Sequence, residues 1–185
     1  MSTVPTTTAS TTVQWLHERG ATGLTTDSRR IQAGDAFIAW PGAAVDGRAF
    51  IADALKQGAV AALMELEDAP QALLDMASTT NATRAYAGLK AASGGIASEF
   101  YGKPSQQLRI VAITGTNGKT TTATLLFNLF NSLGYCTGLL STVENIIIDK
   151  KISTTHTTPN PIEINKLLDQ MVTAGCSHCF MECSS

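Results

Sequence analysis

Charge is what this sequence has least of: only 15% of its 185 residues are Asp, Glu, Lys or Arg, against about 25% in an ordinary globular chain. Thirteen Lys and Arg face fifteen Asp and Glu, a formal net charge of −2, and no basic block stands ready to neutralise a phosphate backbone. Nucleic acid is not expected as a main partner. Long apolar runs are missing as well. Ala59 to Met64 and Ile146 to Ile148 fall far short of the roughly 20 residues that cross a bilayer, so no membrane insertion is expected. The opening MSTVPTTTASTTVQW lacks the cationic flank and apolar core of a secretory leader, and a cytoplasmic location is the expectation. Cysteine is sparse: Cys136 stands alone, and Cys176, Cys179 and Cys183 crowd with His178 into CSHCFMECSS. A structural zinc site takes four ligands presented from turns. These cysteines instead punctuate an apolar run that reads as a strand, which favours small buried hydrophobes, kept reduced in a cytosolic compartment, over the alternative of a metal site.

What the chain does have is apolar material, 44% of its residues, enough for one compact domain or a small domain plus part of another. Residues 1–12 are rich in Ser and Thr without apolar period and read as a disordered tail. A short helix is expected over 13–17, a strand over 35–40 closed by Pro41-Gly42, a helix over 49–57 ending at Gly58, and an apolar strand over 59–64. Residues 81–101 read as one helix, and Gly102-Lys103-Pro104-Ser105 breaks the chain. The boundary is placed there, giving a first domain over 13–103 and a second over 104–185. The second reads as a buried-type strand over 108–113, a helix over 119–133, a strand over 136–140, a helix over 162–173 and a strand over 177–183. Alternating strands and helices argue an α/β fold with a parallel sheet. Ligands of such sheets sit beyond the carboxyl ends of the strands, so a chain stopping at Ser185 reads as the amino-terminal portion of a longer enzyme. Apolar surface around Cys179, Phe180 and Met181 is expected to be left uncovered.

The strongest chemical signal is Ile113-Thr114-Gly115-Thr116-Asn117-Gly118-Lys119-Thr120-Thr121, between a buried strand and a helix. Gly115 and Gly118 permit backbone angles that let successive N–H groups turn inward around phosphate oxygens. Lys119 adds a mobile ammonium for the β/γ-phosphates, the Thr120 hydroxyl can ligate Mg²⁺, and the helix beginning there points its positive end at the anion. The usual pattern has Gly where this chain has Ile113, so the loop is a variant. A second cluster is Thr154-Thr155-His156-Thr157-Thr158-Pro159-Asn160-Pro161. Its composition alone gives turn residues, with Asn160 as N-cap and Pro161 at the first helical position. The third is Met181-Glu182-Cys183-Ser184-Ser185. A carboxylate at the end of a buried strand is explained either by a bound cation or by a fraying, exposed end.

Taken together, TGTNGKTT, HTTPNP and MECSS resemble the Mur ligase family, and the upstream LTTDSRRIQAGDAFIAWPGAAVDGRAFI resembles its uridine-nucleotide domain; the likeness runs from Leu24 to Ser185. The DSR and DGR segments with TTP and ME-x-SS are similar to the members that add a third amino acid to a muramoyl dipeptide. The resemblance implies a small uridine-nucleotide-binding α/β domain followed by the start of a phosphate-loop ATPase domain. It further implies a ligase that uses ATP and Mg²⁺ to activate the terminal carboxylate of UDP-N-acetylmuramoyl-L-Ala-D-Glu as an acyl phosphate, which the amine of meso-diaminopimelate or L-lysine then displaces. Carried over residue by residue, the loop from Gly115 through Thr116, Asn117, Gly118, Lys119, Thr120 and Thr121 would hold ATP. Lys119 and Glu182 would act in catalysis, with Thr120 and Glu182 at the metal. Thr157, Thr158 and Ser184 would hold the muramoyl peptide, and Ser28, Asp46 and Arg48 the uridine nucleotide. A second-metal lysine and the domain selecting the amino acid are expected outside these residues, the portion is expected to be inactive alone, and the full-length enzyme to be a monomer. Two rivals remain at this point: a folylpolyglutamate-type ligase of the same superfamily, and a nucleotide-binding module that makes no bond.

Overall fold

The computed structural model describes residues 8–152 and 160–183. The chain divides into two compact units, Met1–Phe100 and Tyr101–Ser185, three residues before the break expected at residue 103.

In the first unit, helix α1 (Ala9–Glu18) precedes strand β1 (Gly23–Thr25). Strand β2 (Asp35–Ala39) leads to α2 (Ile51–Lys56), β3 (Ala61–Glu65), α3 (Gln71–Thr79), β4 (Thr83–Tyr86) and α4 (Leu89–Phe100). All four strands are parallel and lie in chain order, β1-β2-β3-β4. Strand residues alternate between faces. Phe37, Ala39, Ala62 and Met64 therefore share one face and pack with Ile51 and Ala54 of α2 and with Leu73 and Leu74 of α3. Ile38 and Leu63, equally buried, point to the other face, where α4 meets β3 and α1 lies against α4.

Two expectations fail here for identifiable reasons. The tail expected over 1–12 gives way to a helix from Ala9, because the Thr8 side chain caps it and Thr11 answers in a reciprocal box, the arrangement that satisfies orphan N–H groups at a helix start. The single helix expected over 81–101 is a strand and a helix. The backbone of Thr83–Tyr86 pairs with Ala62–Glu65, and Gly88 at φ 70° turns the chain into α4.

In the second unit, β5 (Arg109–Ile113), α5 (Lys119–Ser132), β6 (Thr137–Leu140), β7 (Asn145–Ile147), β8 (Lys150–Ile152), α6 (Pro161–Thr173) and β9 (His178–Glu182) follow in order. The sheet order is β5-β9-β6-β7-β8, parallel across the first three strands and antiparallel through the β7–β8 hairpin. One face carries Ala123 and Phe127 of α5 against Leu139 and Phe180. The other carries Leu167, Leu168 and Met171 of α6 against Leu140, Ile147 and Cys179. Gly138 is needed for this second contact, since a methyl there would collide with the Met171 side chain.

Strand β9 is thus the middle of a parallel trio, with β5 and β6 on either side. Cys179 and Phe180 are fully buried and Met181 half-buried, which overturns the expectation of uncovered surface around them. The exposed apolar surface lies elsewhere. Leu125 and Leu129 of α5 and its C-cap Leu133 form an exposed stripe, and Val111 is exposed on β5, which reads as a buried-type strand but has three exposed residues.

Candidate functional site

The loop after β5 and the ends of β6 and β9 meet at the carboxyl edge of the second sheet. Gly115 (φ 145°) and Gly118 (φ 78°) sit at backbone angles that side chains disfavour, and Gly118 is the N-cap of α5 with no side chain capping that helix. The first amides of α5 therefore face the loop with their partial positive charge uncompensated by a side chain. Lys119 folds back so that its Nζ donates to the Gly115 carbonyl at 2.7 Å. Thr116, Asn117 and Thr121 are exposed around it.

Glu182 ends β9 beside this loop because β9 pairs with β5 in a register that sets Glu182 opposite Ile113. The Thr120 hydroxyl donates to Glu182 Oε2 at 2.9 Å. Thr142, two residues past β6, adds its backbone N–H at 3.2 Å and its hydroxyl at 3.1 Å. Burial pushes the Glu182 pKa up, but the hydrogen bonds from Thr120 and Thr142 and the charge of Lys119 outweigh it, and the net shift is downward. The carboxylate is held ionised. An ionised carboxylate touching a threonine hydroxyl is a pair of hard oxygen donors, the chemistry Mg²⁺ prefers, so these residues fit that ion. The alternative of a fraying, exposed Glu182 is excluded by its three hydrogen bonds.

Thr142 escaped the sequence reading. A threonine after a strand carries no signal until β6 is known to lie beside β9. The loop that presents it is held by the Ser141 hydroxyl, which donates to the Glu144 carbonyl at 2.7 Å and accepts from the Glu144 N–H at 3.0 Å. Thr157, Thr158 and Ser184 lie outside the described residues. Asn160 does cap α6, its Oδ1 accepting from the N–H groups of Ile162 and Glu163 at 3.0 Å, with Pro161 first in the helix.

In the first unit the two Asp-x-Arg segments build the same local device. Asp27 Oδ1 accepts from the Arg29 N–H at 3.0 Å and opens a short 3₁₀ turn at Ser28; Asp46 Oδ1 accepts from the Arg48 N–H at 2.9 Å and opens another at Gly47. Each carboxylate also grips its own arginine side chain, at 2.8 Å and 2.9 Å. The Arg29 hydrogen bonds hold Asp27 down to a pKa of about 2, against the opposing effect of its burial. The two arginines then part company. The Arg29 side chain is 83% exposed and that of Arg48 only 5%.

Arg48 donates to the carbonyls of Glu65 and Glu67 at 3.3 and 2.8 Å, tying the turn after β2 to the end of β3. The Arg48 guanidinium is engaged by these internal carbonyls and by Asp46, so it braces the loop that follows β2. Ser28, half-buried after β1, sits at the carboxyl end of the same sheet. A cleft of about 640 Å³ opens there too, lined by Trp40, Pro41, Glu65, Glu67, Asp68 and Lys90 among others. Sequence reading missed it, although Glu65 ends an apolar strand just as Glu182 does.

Comparison with known proteins bears on both units. Residues 113–185 match the family described as "Mur ligase middle domain", and residues 21–101 the one described as "Mur ligase family, catalytic domain". Among curated relatives, the UDP-N-acetylmuramoyl-L-alanyl-D-glutamate--2,6-diaminopimelate ligase of Cytophaga hutchinsonii is 53% identical over 89% of this chain and 33% of its own length. The protein of the same name from Acidovorax sp. strain JS42 is 43% identical over 97% of this chain and 36% of its own. The chain therefore spans about a third of the length of these relatives. A solved structure of a protein of that name superposes with a TM-score of 0.66 at 26% identity, covering 89% of this chain and 32% of that one. The MurF ligase from Thermotoga maritima in complex with ADP shares the fold with a TM-score of 0.60 at 21% identity, over 89% of this chain and 32% of that one.

Proposed function

The chain belongs to the Mur ligase family, and from that premise we propose that it is the uridine-nucleotide domain and the first part of the ATP-handling domain of a ligase that joins meso-diaminopimelate to UDP-N-acetylmuramoyl-L-Ala-D-Glu. Mur ligases are ATP-dependent; diaminopimelate rather than lysine is favoured by the names of the relatives. The observation that carries the reading is the meeting of Lys119, Thr120 and Glu182 at one sheet edge, with the Thr120 hydroxyl on Glu182 Oε2.

The reaction brings two anions together, since a substrate carboxylate attacks the γ-phosphorus of ATP and ADP leaves. The resulting acyl phosphate is opened at its carbonyl by the amine of the third amino acid, with loss of phosphate. Each residue's task follows from that charge problem. The N–H groups from Gly115 to Thr120 wrap phosphate oxygens, and the Lys119 ammonium exchanges the Gly115 carbonyl for the β/γ-phosphates, neutralising charge that grows in the transition state. Thr120 and Glu182 would hold Mg²⁺, which supplies further neutralisation between the two anions. Thr142 keeps the Glu182 carboxylate aimed. Thr157, Thr158 and Ser184 are assigned to the muramoyl peptide on the resemblance of HTTP and MECSS. Ser28 is assigned to the uridine nucleotide, with Asp46 and Arg48 shaping the neighbouring loop. The carboxylates of the nearby cleft repel a diphosphate, which favours the Ser28 side of that edge for the nucleotide.

Calorimetry on this chain tests the reading. MgADP should bind weakly and Lys119→Ala should abolish the heat, while UDP-N-acetylmuramoyl-L-Ala-D-Glu should bind and Ser28→Ala should weaken it. MgADP binding unchanged by Lys119→Ala would make the loop structural and overturn the proposal.

A further inference from the structure

The four cysteines are not paired as their sequence spacing suggests. Cys176 and Cys179 form a C-x-x-C, but Cys179 lies inside β9 with its side chain in the core, whereas Cys176 precedes the strand. The thiol that touches Cys176 is Cys136, forty residues earlier, and the two sulfurs are 3.3 Å apart. The contact is built by the sheet. Thr137 pairs with His178 at the start of β6 and β9, and the Ser177 N–H and hydroxyl both donate to the Cys136 carbonyl, at 2.9 and 3.2 Å. The backbone around the two thiols is thus pinned on both sides. The site lies at the amino-terminal ends of the parallel strands, the opposite edge from Lys119 and Glu182.

We propose that Cys136 and Cys176 are a modification site: a pair of thiols brought together by the fold that hydrogen peroxide converts into an intramolecular disulfide. The inference goes beyond the ligase reading and stands without it.

The two thiols have different surroundings and so different parts. Cys136 is half-buried, while Cys176 is 7% exposed, and burial together with the neighbouring Cys136 pushes the Cys176 thiol up to about 12. Cys136 is therefore the sulfur that meets the oxidant. Its thiolate attacks one oxygen of hydrogen peroxide, the O–O bond breaks, and the departing hydroxide takes up the proton the thiol released, giving a sulfenic acid and water, the sulfur oxidised and the peroxide reduced by two electrons. The Cys176 sulfur then attacks the sulfenic sulfur, its proton leaves with the expelled hydroxide as a second water, and the S–S bond forms. Closing 3.3 Å to a bond of about 2.05 Å asks for side-chain rotation rather than strand movement. Two other readings of the cluster are weaker. Among the described residues no group of three or more His, Cys, Asp or Glu side chains could hold a metal ion. Cys183 follows the other end of β9, beside the Glu182 edge.

The test treats the full chain with a small excess of hydrogen peroxide under air-free conditions, then blocks remaining thiols and maps the peptides by mass. The expected result is loss of two of the four thiols, a monomer lighter by two hydrogen atoms, and a cross-linked peptide joining Cys136 to Cys176 that reductant dissolves. Cys136→Ser should slow thiol loss at least tenfold. Cys176→Ser should leave a dimedone-reactive sulfenic acid on Cys136, which reports the order of events even if the disulfide is absent. Cys183→Ser should change neither. A cross-link between Cys176 and Cys179, over-oxidation of Cys136 without a cross-link in the unmutated chain, or a sulfenic acid trapped on Cys176 instead would overturn the proposal.

Discussion

Thr120 works through a single hydroxyl: it already donates to Glu182 at 2.9 Å, and its oxygen keeps a lone pair for a cation. Shape and chemistry can be separated by substitution. In the full-length ligase, Thr120→Ser should retain most turnover and Thr120→Ala should lose about 100-fold or more, the scale of removing one group that stabilises transition-state charge. Glu182→Gln should fall with Thr120→Ala and fold normally, as thermal unfolding and phosphate-release assays would show. Asp27 makes a different kind of prediction. Its pKa is lowered from 3.8 to about 2, so the stability it contributes is fully present above about pH 4 and is lost as pH falls toward 2. Because its partner Arg29 is mostly in solvent, the effect is small, about 1 kcal/mol or less. Asp27→Asn should flatten the urea midpoint between pH 5 and pH 2.5 by that amount, and a slope identical to the unmutated chain would show the ion pair to be idle. Lys119, Thr120 and Glu182 were legible in the sequence because each is chemically odd for its position: a lysine at a glycine turn, a carboxylate ending an apolar strand. Thr142 and the inward turn of Arg48 were not, since both depend on strands meeting across the sheet.

At the scale of elements, periodicity served where burial is one-sided and failed where it is weak. Helix α6 was legible from its Asn-Pro start and apolar stripe, and β9 from its unbroken run. Strand β4 was not: Thr83, Arg84, Ala85 and Tyr86 include one buried residue, and an edge strand so lightly packed shows no alternation. The β7–β8 hairpin hid for another reason. Its two-residue turn, Ile148-Asp149, puts Ile148 at φ 62°, where such turns normally carry glycine or asparagine. A β-branched side chain pays for that angle in strain, and Ile148 is 42% exposed, so little packing is lost by removing it. Ile148→Gly should raise the unfolding midpoint of the second unit, a gain read by urea denaturation; a fall would mean the side chain packs more than its exposure implies. Gly138→Ala should do the opposite, costing about 1–3 kcal/mol by overpacking. Met171→Ala in the same chain should recover part of that loss, because the collision is with the Met171 side chain.

Across the whole molecule, the alternation of strands and helices correctly announced two α/β units, while the order of strands within each sheet was invisible. Strand order depends on which apolar faces find each other in space, and both sheets use nearly the same local pattern to reach different arrangements. The stripe of Leu125 and Leu129 on α5 with its C-cap Leu133 belongs to this scale too. Three exposed leucines at one-turn spacing present a continuous apolar strip to water.

The central position of β9 sets a timetable for the ribosome. The first sheet runs in chain order, so each strand can dock on its predecessor as it emerges, and the first unit can be native before the second is made. In the second sheet, β5 and β6 are both held by β9, which follows both of them in the sequence. For the time it takes to translate from residue 113 to residue 178, at roughly 5–20 residues per second, β5 waits for β9, its partner among the described strands. The pairing of β5 and β6 with β9 therefore forms late, through contacts distant in sequence that make folding slow, and those seconds are when a chaperone would find most to hold.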